Sequence, residues 1–395
     1  MIKISLKRNL LYLLALYISN VVRKVISIII DEIFHLNAPF IFLYMMSMGE
    51  IIGGSAIYIY QILSWKKKKD VKYFRVNVIQ EKTSNNLRDG KFKIILLLFL
   101  SSFFDFFAFI LLIFYSPKNN ISQTIVSRLS SLETISASLI CTYALKFKIG
   151  KHHNFSLIMI SLFLLVTFII ELLYKSNAIS IGRFFFVHFL ICIRLISLIF
   201  TACIERYLAI YNFINPFLIL FAEGIFVFII SFFYSINKSP FKEIMSKYEE
   251  INTSNFMLLI FMLFLYFICS GLLNSYKIYC NVIYTPMART LIDYFFNPFF
   301  NIYYFIVKDD FCNNFLYFLI SEIFCIIIDF FGCVYNEYII LFCCGLEHDT
   351  SDAIIERSLE KERFSNNTIN IENDDYILYS YKDSDVESNE LNIIS

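Results

Sequence analysis

The stretch FFFVHFLICIRLISLIFTACIERY, Phe184 to Tyr207, decides the fold. A helix rises about 1.5 Å per residue, so a stretch of this length crosses the roughly 30 Å hydrocarbon core of a bilayer. It contains no glycine or proline to interrupt a helix. Arg194 lies near its middle, where a charge costs roughly 2.5 to 3.5 kcal/mol on insertion scales. Spacing shows how that cost is contained. Arg194, Ser197, Thr201 and Glu205 recur every three or four residues and so share one helical face, while Phe, Ile, Leu and Cys fill most of the rest. The stretch reads as a membrane-spanning helix with one polar stripe turned towards a bundle interior.

Similar runs recur in both directions. Of 395 residues, 58% are hydrophobic and only 17% charged, more apolar surface than a water-facing domain buries. The expected spans are Leu10 to Phe34, Phe40 to Ser64, Ile94 to Tyr115, Ile121 to Leu145, Phe155 to Tyr174, Phe184 to Tyr207, Pro216 to Tyr234, Phe256 to Lys277, Val282 to Val307 and Phe315 to Cys344. The expected fold class is all-α integral membrane, with about ten transmembrane helices in two inverted five-helix repeats. Residues 1–9 form a cytosolic N-terminal segment, 10–174 the first repeat with a basic cytosolic loop at 65–93, 181–346 the second repeat, and 347–395 an acidic, disordered cytosolic tail. The basic cluster Lys66, Lys67, Lys68, Lys69, Lys72 and Arg75 sets the orientation, with both termini cytosolic. The membrane is an endomembrane or the plasma membrane.

The formal net charge of +1 argues against a nucleic-acid partner, which would require a concentrated basic surface. The ten cysteines lie almost entirely inside apolar runs without CxxC spacing and read as small core residues. The adjacent Cys343 and Cys344 read either as a lipid-facing pair or as an acylation site. The five histidines form no catalytic constellation with a carboxylate, and His152–His153 reads as a solvated basic loop. Neither metal-ligand spacing nor a phosphate-cradling glycine loop occurs along the chain, so no enzyme activity, cofactor or metal is expected.

Polar stripes recur in other spans. Asn20, Lys24, Ser27 and Asp31 share a face of the first, Thr124, Arg128, Ser131 and Thr134 of the fourth, and Thr285, Arg289, Asp293 and Asn297 of the ninth. Glu50, Asp105 and Glu223 are acids within other spans. Single polar residues could serve only as interhelical ties, worth about 0.6 kcal/mol on average. Aligned sets built around four cations are costly for that purpose and imply a shared polar cavity. Its expected lining is Asn20, Lys24, Glu50, Asp105, Arg128, Ser131, Arg194, Thr201, Glu205, Glu223, Thr285, Arg289 and Asp293.

The two halves of the chain echo each other. MSMGEIIGG around Glu50 parallels LFAEGIFVF around Glu223, and IVSRLSSLETI around Arg128 parallels TPMARTLIDYF around Arg289. Five spans per half would insert the second half upside down. These motifs, with YNEY at Tyr335 to Tyr338, resemble the drug/metabolite transporter superfamily, nearest its solute-carrier-35-like branch and related to chloroquine-resistance-type transporters. The resemblance covers residues 10 to 345. It implies a central pocket lined by spans one to four and six to nine, with five and ten peripheral at a homodimer contact. One departure is the seam Glu322, Asp329 and Asn336 in the last span, which either lines the cavity or faces a neighbouring helix. The function implied is secondary active transport or exchange of a small polar or charged metabolite by alternating access. The bilayer and the small-molecule substrate are its partners, with proton or counter-substrate coupling. The alternative is a non-transporting multi-pass receptor or scaffold.

Overall fold

The computed structural model describes residues 2–34, 36, 39–68, 89–115, 129, 131–144, 149–175, 180–235, 244–246, 248–249, 252–283, 286, 289–290, 301–302, 311–337, 339, 341, 345–350, 353 and 357. The regular elements among them are all helical: α1 (Ile2–Phe34), α2 (Pro39–Lys68), α3 (Lys91–Tyr115), α4 (Leu132–Ala144), α5 (Lys151–Lys175), α6 (Ile181–Ile210), α7 (Pro216–Ser235), α8 (Thr253–Ile283), α9 (Phe311–Tyr335) and a short 3-10 turn, Leu346–Asp349.

Seven of these helices, α2, α3 and α5 to α9, are long and apolar enough to cross a membrane. This makes the chain an all-α protein of multi-pass membrane type. About ten such runs were expected, and three differ for separate reasons. Helix α1 has the length of a span, and the side chains of its residues 2–13 lie outside those described. Of the run Ile121 to Leu145, residues 121–128, 130 and 145 lie outside the described residues, and the described part includes the 13-residue helix α4. The run Val282 to Val307 lies mostly outside the described residues.

The surface fits a lipid solvent. On α5, Ile158, Leu162, Leu165, Ile169 and Leu173 are exposed along one face, while His152, Ser156, Ile160, Leu164, Thr167 and Glu171 are buried along the other. An apolar face opposite a polar one, with the polar side inward, inverts the rule for water. The buried face packs on α6 and α9 through Ile160, Leu164, Val187, Ile191, Leu195 and Ile328.

Glycines bring the central helices into contact. A Cβ on Gly49 of α2 would stand 2.8 Å from the Phe267 carbonyl oxygen of α8, and one on Gly271 of α8 would stand 2.7 Å from the Gly49 carbonyl oxygen. On the other side of α2, a Cβ on Gly54 would meet the Phe217 carbonyl oxygen of α7 at 2.8 Å, and one on Gly224 would meet the Ser47 carbonyl oxygen at 2.9 Å. The GxxxG pair Gly49 and Gly53 is thus a helix-packing device. Helices α2 and α7 are antiparallel: Tyr44 bonds Ser235, while Asn215 Nδ2 donates to Gln61 Oε1 at 2.9 Å. Helices α2 and α8 run the same way, Gly49 lying by Phe267 and Gly53 by Ser275.

The segment expected to be a tail from residue 347 starts with ordered backbone. Its 3-10 turn returns to the start of α5, where Lys151 Nζ lies 4.0 Å from Asp349 Oδ2.

Candidate functional site

The charged residues of the central helices face one another across a cavity of about 280 Å3. Helix α1 contributes Arg23, Lys24 and Ser27, α2 contributes Glu50, and α3 contributes Ser102 and Asp105. Helix α6 contributes Arg194, Thr201 and Glu205 from one stripe, α7 contributes Glu223, and α8 contributes Tyr266, Asn274 and Lys277; Arg289 completes the wall. Five bases (Arg23, Lys24, Arg194, Lys277, Arg289) thus meet four acids (Glu50, Asp105, Glu205, Glu223). Opposite charges offset one another's burial only when they are close and hydrogen-bonded.

Part of this set is tied together. Arg289 Nη1 donates to Glu205 Oε2 at 2.8 Å, and Asn281 Nδ2 donates to the same oxygen at 2.8 Å. Asn281 also donates to the Ala202 carbonyl at 2.7 Å, while Arg206 Nη1 donates to the Asn281 carbonyl at 2.8 Å. The end of α6 is therefore fixed to the end of α8. The two central acids are held across helices: Asn274 Nδ2 of α8 donates to Glu50 Oε1 of α2 at 2.5 Å, and Ser101 Oγ of α3 donates to Glu223 Oε1 of α7 at 2.5 Å. Thr201 Oγ1 donates to the Ser101 carbonyl at 3.1 Å.

Arg194 is different. It lines the cavity with its Nε buried, and its side chain makes no hydrogen bond or ion pair among the described residues. A guanidinium presents a planar fork of donors suited to carboxylate or phosphate oxygens. An anionic group entering the cavity would find these donors available.

Eight of the residues expected from sequence line this cavity: Lys24, Glu50, Asp105, Arg194, Thr201, Glu205, Glu223 and Arg289. Asn20 and Ser131 are buried but do not line it. Arg128, Thr285 and Asp293 lie outside the described residues. Sequence reasoning omitted Arg23, Ser102, Tyr266, Asn274 and Lys277 from the lining. The signal for two of them was present, since Ser270, Asn274 and Lys277 keep helical spacing in an apolar run. The expected span ends at Lys277, whereas α8 continues to Ile283.

The polar seam of α9 does not reach the cavity. Its Glu322 accepts a 3.0 Å bond from Asn301 Nδ2, and Asp329 is buried in the packing. The expectation of a solvated His152–His153 loop is corrected outright. Both residues belong to the first turns of α5, and His152 is only 3% exposed. The adjacent pair sits on the inward face because α5 turns its apolar stripe outward.

No protein-family model matches the chain, and no curated protein matches it.

Proposed function

We propose that the protein is a secondary active transporter or exchanger of a small polar or charged metabolite, built on the ten-span inverted-repeat plan of the drug/metabolite transporter superfamily. The observation carrying this reading is the cavity itself, where bases and acids from six helices converge inside an apolar bundle around an Arg194 whose side chain makes no hydrogen bond or ion pair among the described residues. Intramembrane charge of this kind marks solute and ion pathways.

The pattern of neighbours supports the inverted halves. Exchanging α1, α2, α3 and α5 with α6, α7, α8 and α9 turns the α3–α6 contact into α8–α1, and the α3–α7 contact into α8–α2, while α2–α7 and α5–α9 map onto themselves. All of these contacts are present. The bonds obey the same exchange, since Glu50 takes its donor from α8 and Glu223 takes its donor from α3. Along the chain the two acids are as far apart as the two donors. Antiparallel halves of this kind can rock between inward-open and outward-open shapes around one central site. Glu50 and Glu223 flank the α2–α7 contact and are the groups suited to proton or counter-substrate coupling.

The test is uptake and counterflow in proteoliposomes, using a panel of labelled organic anions, amino acids, nucleosides and sugar nucleotides. At least one should accumulate above protein-free vesicles, and Arg194→Gln should abolish that flux. A folded, inserted protein that moves nothing across the panel would favour a receptor or scaffold instead.

A further inference from the structure

Outside the cavity lining, His152, His153 and Glu337 place three potential ligand atoms within 4.8 Å of one another. The geometry points to a second site, a binding place for a borderline divalent cation such as Zn2+, Co2+ or Ni2+, built where the end of α9 meets the start of α5. Two imidazoles with one carboxylate suit such ions better than Mg2+ or Ca2+, which prefer oxygen alone.

Three observations carry the assignment. First, His152 is buried, and neither ring nitrogen makes a hydrogen bond among the described residues. Its Nε2 lies 2.9 Å from Glu337 Oε1, close enough for an ion pair but out of line for a hydrogen bond. A buried imidazole ordinarily has both nitrogens engaged, and metal coordination would satisfy one of them. Second, Glu337 sits at φ 57°, in the left-handed region, just after α9. Its amide donates to the Val334 carbonyl at 3.1 Å, closing the helix at a position where glycine is the usual residue. Non-glycine residues held in such conformations cluster at functional sites. Third, the two rings are only 3.8 Å apart by their centroids, and Tyr335 meets His153 edge-on at 4.9 Å, so the donors are packed in place.

The fit needs little movement. Zn2+ takes nitrogen and oxygen ligands at about 2.0 to 2.2 Å, which sets tetrahedral donors roughly 3.5 Å apart. The present spread is up to 4.8 Å, so binding would draw the donors together by roughly an ångström. His153 Nδ1 accepts the Gly150 amide at 3.2 Å, and the ion would replace this one long bond. The bound cation would join α5 to the end of α9 beside the turn that begins the tail, leaving a fourth position for water.

The experiment uses the full chain in detergent, purified without a histidine tag and stripped with a chelator. Titration with Zn2+ by calorimetry should give one ion per chain and raise the melting temperature. His152→Ala and Glu337→Gln should each weaken binding at least about tenfold, the loss that even an outer-shell partner causes. His348→Ala, at an exposed histidine outside the triplet, should leave it unchanged. Because His152→Ala is a core change, Co2+ absorption of the wild-type protein gives a second readout, with intense visible bands expected from a low-symmetry four- or five-coordinate site. Absence of stoichiometric Zn2+ binding, absence of those bands, or equal affinity in wild type and Glu337→Gln would each overturn the proposal.

Discussion

Replacing Gly271 by alanine tests whether the backbone contact between α2 and α8 positions the central acids. The new methyl would stand 2.7 Å from the Gly49 carbonyl oxygen, 3.1 Å from its carbon and 3.2 Å from its Cα, where ordinary contact begins at 3.4 Å. All three atoms are backbone, so no side chain can rotate away. The helices must separate by most of an ångström, and overpacking of that kind costs about 1 to 3 kcal/mol. Asn274 lies less than one turn from Gly271 on α8, so the same displacement stretches its 2.5 Å bond to Glu50. Stability and cavity geometry should therefore fail together. The control is Gly182→Ala at the start of α6, where nothing lies within 4 Å of the added Cβ and helix propensity should yield a neutral change or a gain of up to about 1 kcal/mol. Thermal unfolding in one detergent, followed by cysteine accessibility or tryptophan-independent scattering, would read both variants. If Gly271→Ala melts with the wild type, the close approach of these helices is not a packing constraint and the argument fails.

Other outcomes follow from named contacts. Arg289→Ala leaves the buried Glu205 without its 2.8 Å partner and should destabilise by about 3 to 5 kcal/mol, whereas Arg289→Met with Glu205→Leu should recover most of the melting temperature without restoring transport. Arg194→Gln breaks no hydrogen bond or ion pair among the described residues, so its melting temperature should stay near wild type while substrate flux is lost. Asp89, just before the α3 span, is held below the usual carboxylate range mainly by its bond to Lys93, with Asn212 and Tyr207 adding to it. A lowered folded-state value means the stabilisation is present above the unfolded value of about 3.9 and is lost as pH falls through the folded one. Hydrogen exchange at the α3–α6 end should therefore accelerate only in strong acid, and Asp89→Asn should remove that dependence.

Helical spacing made part of the cavity legible before any coordinates. Arg194, Thr201 and Glu205 stand out because an apolar helix offers few reasons for a polar stripe. The same logic under-reads α8, where the expected span Phe256 to Lys277 stops at a lysine that the helix carries past to Ile283. Ser101 and Ser102, one turn before Asp105, carry no charge and were passed over, although Ser101 supplies the hydrogen bond that holds Glu223. Hydropathy located the membrane runs, and α1, at 33 residues, keeps the length that the first of them requires. The set His152, His153 and Glu337 had no linear signature beyond the adjacent histidines. His152 and Glu337 come from opposite halves of the chain, and only the antiparallel packing of α5 on α9 brings them together.

The exchange of hydrogen-bond donors between halves also constrains how the protein is made. Glu50 leaves the ribosome long before Asn274, which follows 224 residues later. At about 5 to 20 residues per second, synthesis of that interval takes roughly 10 to 45 s. During this time the second helix holds an acid whose donor does not yet exist, while Ser101 waits for Glu223 in the same way. The first half is thus a nascent intermediate with unmet polar groups on its inner face until the second half arrives.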